Sequence, residues 1–529
     1  MINNLYKMFL GDSPDWYKNT IIAFLAINPI TLLILNYSCK NNQKSDKPNI
    51  IYILADDLGY GDLSIYNKNS KIFTPNIDSI GDEGMVFYDM HSTSSVCTPT
   101  RYSILTGEYA WRTRLKYGVL WSYGEPLINE NKNTVASMLK KYGYTTSVIG
   151  KWHLGLGWVT KNDISEINSD IRDSGLIRDI NEDLIDFSKN PTFGPPQNGF
   201  DYSFILPSSL DIPPYLYLEN NKFLNPVNKY TDGNKPNIDA SGAFWRPGPM
   251  AEDFDINQVL PIFFDKSKKY IEKTQKEDKP FFLYLPLPGP HTPWLPDSSF
   301  KDSSEAGEYG DFVKMIDFYV GNLLDHLKSL NLEKNTMVIF TSDNGPYWWP
   351  ESILKFNHKA ALDLKGMKGD IYDGGHRIPF MVKYPGVVKE KSTNSDVNSL
   401  ASLMSTLGEM LGEDHNNIGI DSYTISSTSS PVTDGATALV NGAISSTTAL
   451  VVDNNRGTIE VGMTVTGTGI SGTVTIATVT NQNTLVLSSS QSLSDDVVLT
   501  FTKGGVAEIG GSVITVSYTH LTLPTKRIV

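Results

Sequence analysis

Four apolar runs in this chain each lead into residues that can do chemistry. Residues 49–55 end in Asp56-Asp57, and residues 145–149 end in Gly150-Lys151-Trp152-His153. Residues 281–285 lead through Pro and Gly to His291, and residues 337–341 end in Ser342-Asp343-Asn344-Gly345. Asp56, Asp57, Asp343 and Asn344 offer four oxygen-bearing side chains, the donors preferred by hard cations such as calcium or magnesium. His and Cys are too sparse nearby to favour zinc. Taken singly, Asp-Asp-Leu-Gly and Asp-Asn-Gly read as solvated turns. Their shared position after buried strands argues for a site instead.

Cys97 is the second chemical feature. It opens Cys97-Thr98-Pro99-Thr100-Arg101, and Pro99 suits the first turn of a helix. A helix N-terminus favours negative charge, so a thiol there, with Arg101 one turn on, is expected to be activated. The plainer reading of a lone Cys is an inert, buried, small hydrophobe.

Converging these groups requires a particular scaffold. Residues 48–390 alternate apolar runs with helical patterns, which implies an α/β domain with a mainly parallel central sheet flanked by helices. Strands are expected at 49–55, 85–88, 145–149, 281–285 and 337–341. Helices are expected from an Asn133 cap to Lys141, over 255–273 and over 311–330. Ligands bind beyond the carboxyl ends of parallel strands, so all four chemical segments would meet at one edge. Residues 191–249, rich in Pro, Asn, Gly and aromatics, read as long loops over one face. The chain has 529 residues and a net charge of −13, which argues against a nucleic-acid partner. Two cysteines, Cys39 and Cys97, rule out a disulfide framework.

Two longer motifs carry a family resemblance. Cys97-Thr98-Pro99-Thr100-Arg101 with Leu105-Thr106-Gly107, and the run from Gly143 to His153, resemble the two signatures of the sulfatases, in the right order. Ala55-Asp56-Asp57-Leu58-Gly59, His291-Thr292-Pro293, Ser342-Asp343-Asn344-Gly345 and Lys365-Gly366-Met367-Lys368-Gly369 are similar to further family positions. The likeness spans roughly 48–423 and implies an alkaline phosphatase superfamily fold. It also implies that a maturation enzyme oxidises Cys97 to formylglycine, whose hydrate supplies the nucleophilic oxygen. Asp56, Asp57, Asp343 and Asn344 would bind calcium, which also contacts residue 97. Arg101 would hold the hydrate, and Lys151 and Lys368 would bind sulfate oxygens. His291 would protonate the leaving alcohol, and His153 would help expel sulfate. The implied substrate is a sulfated small molecule or carbohydrate. The alternatives are a phosphodiesterase or phosphonate hydrolase of the same superfamily, and an inactive sulfatase-like domain in a chimeric surface protein.

The flanks read differently. Residues 1–39, with an apolar run at 21–35, read as an export signal, with a lipid anchor at Cys39 if the signal is of lipoprotein type. The expected location is periplasmic or membrane-anchored, with 40–47 as a linker. Past 423 the usual C-terminal subdomain of the family is not recognisable. Residues 424–510 are dominated by Ser, Thr, Val and Gly and read as a small β module, either a true fusion or an assembly chimera. Residues 511–529 read as unstructured artefact, adaptor-like from Val516.

Overall fold

The computed structural model describes residues 47–161, 182–234, 242–277, 279–412, 436–456, 459–495 and 497–502. The expected export segment with Cys39, most of the linker, and residues 511–529 lie outside the described residues.

Ten strands form the main sheet. In chain order they are β1 (Asn49–Asp56), β2 (Met85–Phe87), β3 (Thr145–Lys151), β4 (Tyr202–Leu206), β5 (Leu218–Glu219), β6 (Lys222–Phe223), β7 (Phe281–Pro290), β8 (Thr336–Ser342), β9 (Phe380–Lys383) and β10 (Ser392–Asn394). Across the sheet the order is β10-β2-β9-β8-β1-β7-β3-β4-β5-β6. The centre, β8-β1-β7-β3-β4, is wholly parallel. β9 runs antiparallel between β8 and β2, and β5 and β6 add an antiparallel edge. β1 is central: Ile51 lies opposite Leu283 on one side and Val338 on the other. Every residue of β1, β7 and β8 is buried, as a parallel strand covered on both faces requires.

The flanking helices follow the apolar spacing of their sequences. They include α1 (Pro75–Asp82), α2 (Cys97–Thr106), α3 (Val135–Lys141), α4 (Val259–Thr274) and α5 (Gly307–Ser329). α4 buries Val259, Leu260, Phe263, Phe264, Ser267, Tyr270, Ile271 and Thr274, a three-to-four-residue stripe turned towards β7. Three helix starts differ from expectation: α4 begins at Val259, after a 3₁₀ turn at Ile256–Gln258, not at residue 255. α3 is capped by Thr134, not Asn133: Thr134 Oγ1 accepts from Ser137 N (3.0 Å) while Ser137 Oγ accepts from Thr134 N (2.8 Å). α5 begins at Gly307, four residues before the expected Asp311. The Asp311 carboxylate instead accepts from the Asp302 and Ser304 amides of the preceding loop, each at 2.8 Å.

The C-terminal β module is a closed six-stranded barrel. Its strands are β11 (Ala436–Val440), β12 (Ile444–Arg456), β13 (Thr464–Gly467), β14 (Val474–Asn481), β15 (Thr484–Leu493) and β16 (Val498–Thr502), ordered β11-β12-β15-β14-β13-β16. It has its own apolar core, including Leu450, Val452, Met463, Val465, Leu485 and Phe501. No helix among the described residues is long and apolar enough to cross a membrane.

Candidate active site

The carboxyl ends of β1, β3, β7 and β8 bring the chemical residues together, joined by the first residue of α2. The ligand atoms of Asp56, Asp57, Cys97 and His291 all lie within 4.8 Å of one another, and all four residues are buried. Local backbone makes this approach possible. Gly150 has φ +145°, and a Cβ there would sit 1.9 Å from the Pro286 carbonyl oxygen, so only glycine lets β3 reach its end beside β7. Asp57 (φ 64°) and His153 (φ 55°) adopt the left-handed region despite carrying side chains. Such residues cost about 1–3 kcal/mol each and concentrate at functional sites.

Charges alternate through the centre. Lys151 Nζ donates to Asp56 Oδ2 at 2.5 Å and lies 3.7 Å from Cys97 Sγ. Cys97 Sγ is 3.5 Å from Asp56 Oδ1. Arg101, wholly buried, donates from Nε to Asp343 Oδ2 (2.9 Å) and from Nη1 to the Lys151 carbonyl (3.0 Å). Lys368 Nζ donates to Asp57 Oδ2 at 2.8 Å. Asp343 Oδ1 accepts from the Asp57 amide (3.2 Å), and Asn344 Nδ2 donates to Asp57 Oδ1 (2.7 Å). Burial would push the Asp56 carboxyl up, but Lys151, His291, Arg101 and Lys368 together hold it far below the usual carboxylate range. Asp343 goes the other way: burial, then repulsion from Asp56, raises it despite Arg101 and Lys151.

The Cys97 thiol departs from expectation. It does stand at the first position of α2. Burial nevertheless pushes its pKa well above the ordinary value, outweighing Lys151 and Lys368, with Asp56 and Asp343 opposing ionisation as well. Desolvation and the two carboxylates thus oppose ionisation of the thiol by more than the lysines favour it.

Both histidine rings are positioned by a hydrogen bond to a backbone carbonyl. His153 Nε2 donates to the Leu120 carbonyl at 2.8 Å, while Nδ1 is buried with no hydrogen-bond partner. Burial first, then Lys151 and Arg101, hold its pKa well below the ordinary value, so the ring is neutral with an open acceptor at Nδ1. His291 Nδ1 donates to the Thr292 carbonyl at 2.6 Å. Its Nε2 lies 3.7 Å from Asp57 Oδ2, and its Nδ1 lies 3.8 Å from Asp211 Oδ1.

The arrangement fits a hard cation. Asp56, Asp57 and Asp343 supply carboxylates, and the buried Asn344 Oδ1 has no hydrogen-bond donor, leaving a neutral oxygen free to ligate. A family comparison agrees with the geometry. The sulfatase family model matches residues 48–413. This chain belongs to the sulfatase family. It is 32% identical over 411 residues to N-acetylgalactosamine-6-O-sulfatase of Bacteroides thetaiotaomicron, covering 71% of this chain and 75% of that protein. It is 30% identical over 386 residues to human arylsulfatase A, covering 72% and 67%. A solved structure from work on the metabolism of multiple glycosaminoglycans by Bacteroides thetaiotaomicron aligns with TM-score 0.60 and 28% identity, covering 77% of this chain and 88% of that one. Ps i-CgsB in complex with a neocarrahexaose shares the fold, with TM-score 0.54 and 22% identity, covering 77% and 84%. The sulfatase is thus a sulfuric ester hydrolase of the alkaline phosphatase superfamily, and its chemistry is sulfate ester hydrolysis.

Several neighbours of the site were not legible in its motifs. Asp62 is buried beneath the metal-type cluster, where its carboxylate takes Nε2 of His358 (2.7 Å), the Tyr309 hydroxyl and the Gly59 amide (2.6 Å). His358 is fully buried, and Asp62 and the Lys71 amide satisfy both its ring nitrogens. Trp348 packs with Tyr309 and Phe356 in the core rather than presenting a face for a sugar. Arg377 pairs with Asp89 and Asp373, each at 3.1 Å, and stabilises a turn. Residues 191–249, expected as loops, in fact supply β4, β5 and β6 to the main sheet, because Tyr202–Leu206 pairs in parallel with β3; from the same stretch, Asp211 comes within 3.8 Å of His291 and pairs with Arg246, and both are taken up below.

Proposed function

We propose that the sulfatase hydrolyses a sulfate monoester, an aryl sulfate or a sulfated sugar, to alcohol and inorganic sulfate. The named relatives act on N-acetylgalactosamine 6-sulfate or aryl sulfates, which supports a sulfated carbohydrate as substrate. The catalytic unit would be residues 48–423, and the apolar run at 21–35 supports export to the periplasm, with Cys39 as anchor. Asp56, Asp57, Asp343 and Asn344 would hold calcium, with residue 97 beside it. Bound there, calcium supplies positive charge against the anionic ester and its transition state. Oxidised to formylglycine by a maturation enzyme, residue 97 supplies a hydrate oxygen as nucleophile in place of a thiol.

The chain's other residues have work suited to their geometry. Lys151 and Lys368 are ammonium donors on either side of the Asp56-Asp57 pair, placed to take sulfate oxygens. Arg101 holds Asp343 and stands 3.5 Å from Asp56, which keeps both carboxylates oriented. His291 delivers a proton from Nε2 to the leaving oxygen, its ring fixed by the Thr292 carbonyl. His153 offers Nδ1 to take up a proton as sulfate leaves.

The observation that carries this reading is the convergence of Asp56, Asp57, Cys97 and His291 within 4.8 Å. Mass spectrometry of the peptide holding residue 97, after co-expression with a maturation enzyme, should find an aldehyde. That sample should release sulfate from aryl or sugar sulfates, whereas turnover with an unmodified thiol would remove the formylglycine step. Chelation should lower the melting temperature and calcium should restore it; indifference to both would remove the metal.

A further inference from the structure

Arg246 lies where the buried centre meets solvent. It touches the surroundings of both histidines. Its Nη1 donates to the Asp211 carboxylate, whose other oxygen is 3.8 Å from His291 Nδ1. Its guanidinium also lies over the ring of Trp121, at 4.9 Å, and Trp121 directly follows Leu120, the residue whose carbonyl holds His153. About a third of the Arg246 side chain is exposed.

The group is rigidly built. The Arg246 amide donates to the Asp211 carbonyl (3.2 Å), and its carbonyl accepts from the Tyr215 hydroxyl (2.8 Å). The guanidinium lies against the rings of Trp121 and Phe244, the latter at 5.0 Å. Nη1 makes two bonds, to Asp211 Oδ2 and to the Asp211 carbonyl (3.0 Å). Nε and Nη2 make no hydrogen bond among the described residues. The fork is therefore fixed in place while two of its nitrogens remain available at its exposed face. A planar guanidinium fork matches the two oxygens of a carboxylate or sulfate.

We propose that Arg246 binds a second anionic group of the substrate, a carboxylate or a further sulfate carried on the leaving-group side, so that the sulfatase prefers glycans charged beyond the scissile ester. The proposal rests on the reading of the site as one for a sulfated carbohydrate. The Asp211 carboxylate orients the fork, and its other oxygen lies 3.8 Å from Nδ1 of His291, the group facing the leaving oxygen in that reading.

Equilibrium binding tests it without turnover. The probes are three disaccharides that all carry the same scissile sulfate ester and differ at one further position, which is uncharged, a uronate carboxylate or a second sulfate, titrated by calorimetry into the full chain carrying Cys97→Ala. At least one probe charged at that position should bind ten-fold or more tightly than the one uncharged there, and its identity separates the carboxylate from the sulfate source. Adding Arg246→Gln should erase the difference, and adding Arg246→Lys should keep part of it. Equal affinities for all three probes would overturn the proposal with no substitution at residue 246 involved. A preference that survives Arg246→Gln would overturn it too. Turnover is a separate matter: if the matured chain releases no sulfate from sulfated sugars, the proposed reaction fails, while the binding comparison still decides Arg246.

Discussion

The sheet edge and the C-terminal barrel bury very different things. The barrel core is almost wholly apolar, with Leu450, Val452, Val465, Leu485 and Leu499 inside and its Ser and Thr residues largely in the strands' outward positions. The carboxyl edge of the main sheet buries Asp56, Arg101, Lys151, Asp343 and Asn344 at 0% exposure, just past strands as apolar as any in the barrel. Taking an ion from water costs several kcal/mol, so such a cluster persists only where each charge meets an opposite one. The difference teaches what each region must balance: the barrel buries apolar side chains, whereas the sheet edge buries charges that must be held against one another.

That contrast can be broken or sharpened by substitution. Cys97→Ala should remove turnover by roughly 10⁴-fold or more while the unfolding transition barely moves, since the proposed nucleophile is lost and little packing with it. Sulfate release by this variant at near-normal rates would mean the edge is not the catalytic centre. Arg101→Met leaves Asp343 and Asp56 with less compensating charge and should lower stability by about 3–5 kcal/mol in denaturant unfolding. A change below 1 kcal/mol would show that the edge tolerates unpaired charge. Leu485→Ala in the barrel should cost that module about 2–5 kcal/mol through a cavity, and aryl sulfate turnover should stay the same. A parallel fall in turnover would tie the barrel to the site.

Smaller effects follow. His291→Ala should reduce turnover of sugar sulfates about 10²-fold more than that of a nitrophenyl sulfate, whose leaving group needs little proton assistance. Equal losses would remove its role as general acid. Away from the site, Asp317 on α5 accepts from the Ile77 amide and Asn76 Nδ2, each at 2.8 Å, and so ties α1 to α5. Burial raises its carboxyl to about 6 against the opposing hydrogen bonds. A raised carboxyl favours the protonated folded form, so its contribution is present below about pH 4 and is lost as pH rises through about 6. Asp317→Asn should flatten that part of the stability profile by about 1–3 kcal/mol. An unchanged slope between pH 4 and 6 would show that Asp317 is not the group responsible.

Much of this was legible from residue order alone. Four apolar runs each leading into acids or into Lys and His point, taken together, to strands delivering chemistry to one sheet end, so Asp56, Asp57, Lys151, His153, His291, Asp343 and Asn344 were readable, as was the parallel sheet. Helix limits were less so. Thr134 displaced Asn133 as a cap because the choice between neighbouring capping residues depends on which side chain reaches the third amide.

What the chain's order could not express is electrostatic balance and long-range packing. Whether Cys97 is an activated thiol depends on how much water surrounds it and which carboxylates stand beside it, quantities that exist only once β1, β3 and β8 have closed around α2. Asp62, Asp211 and Arg246 carry no motif, and His358 had no visible reason to be buried, because their partners are distant in sequence and become neighbours only when loops fold over the sheet edge. Local sequence determines which elements form and what they carry at their ends; the tertiary structure decides which charges are desolvated together, and that is what sets their chemistry.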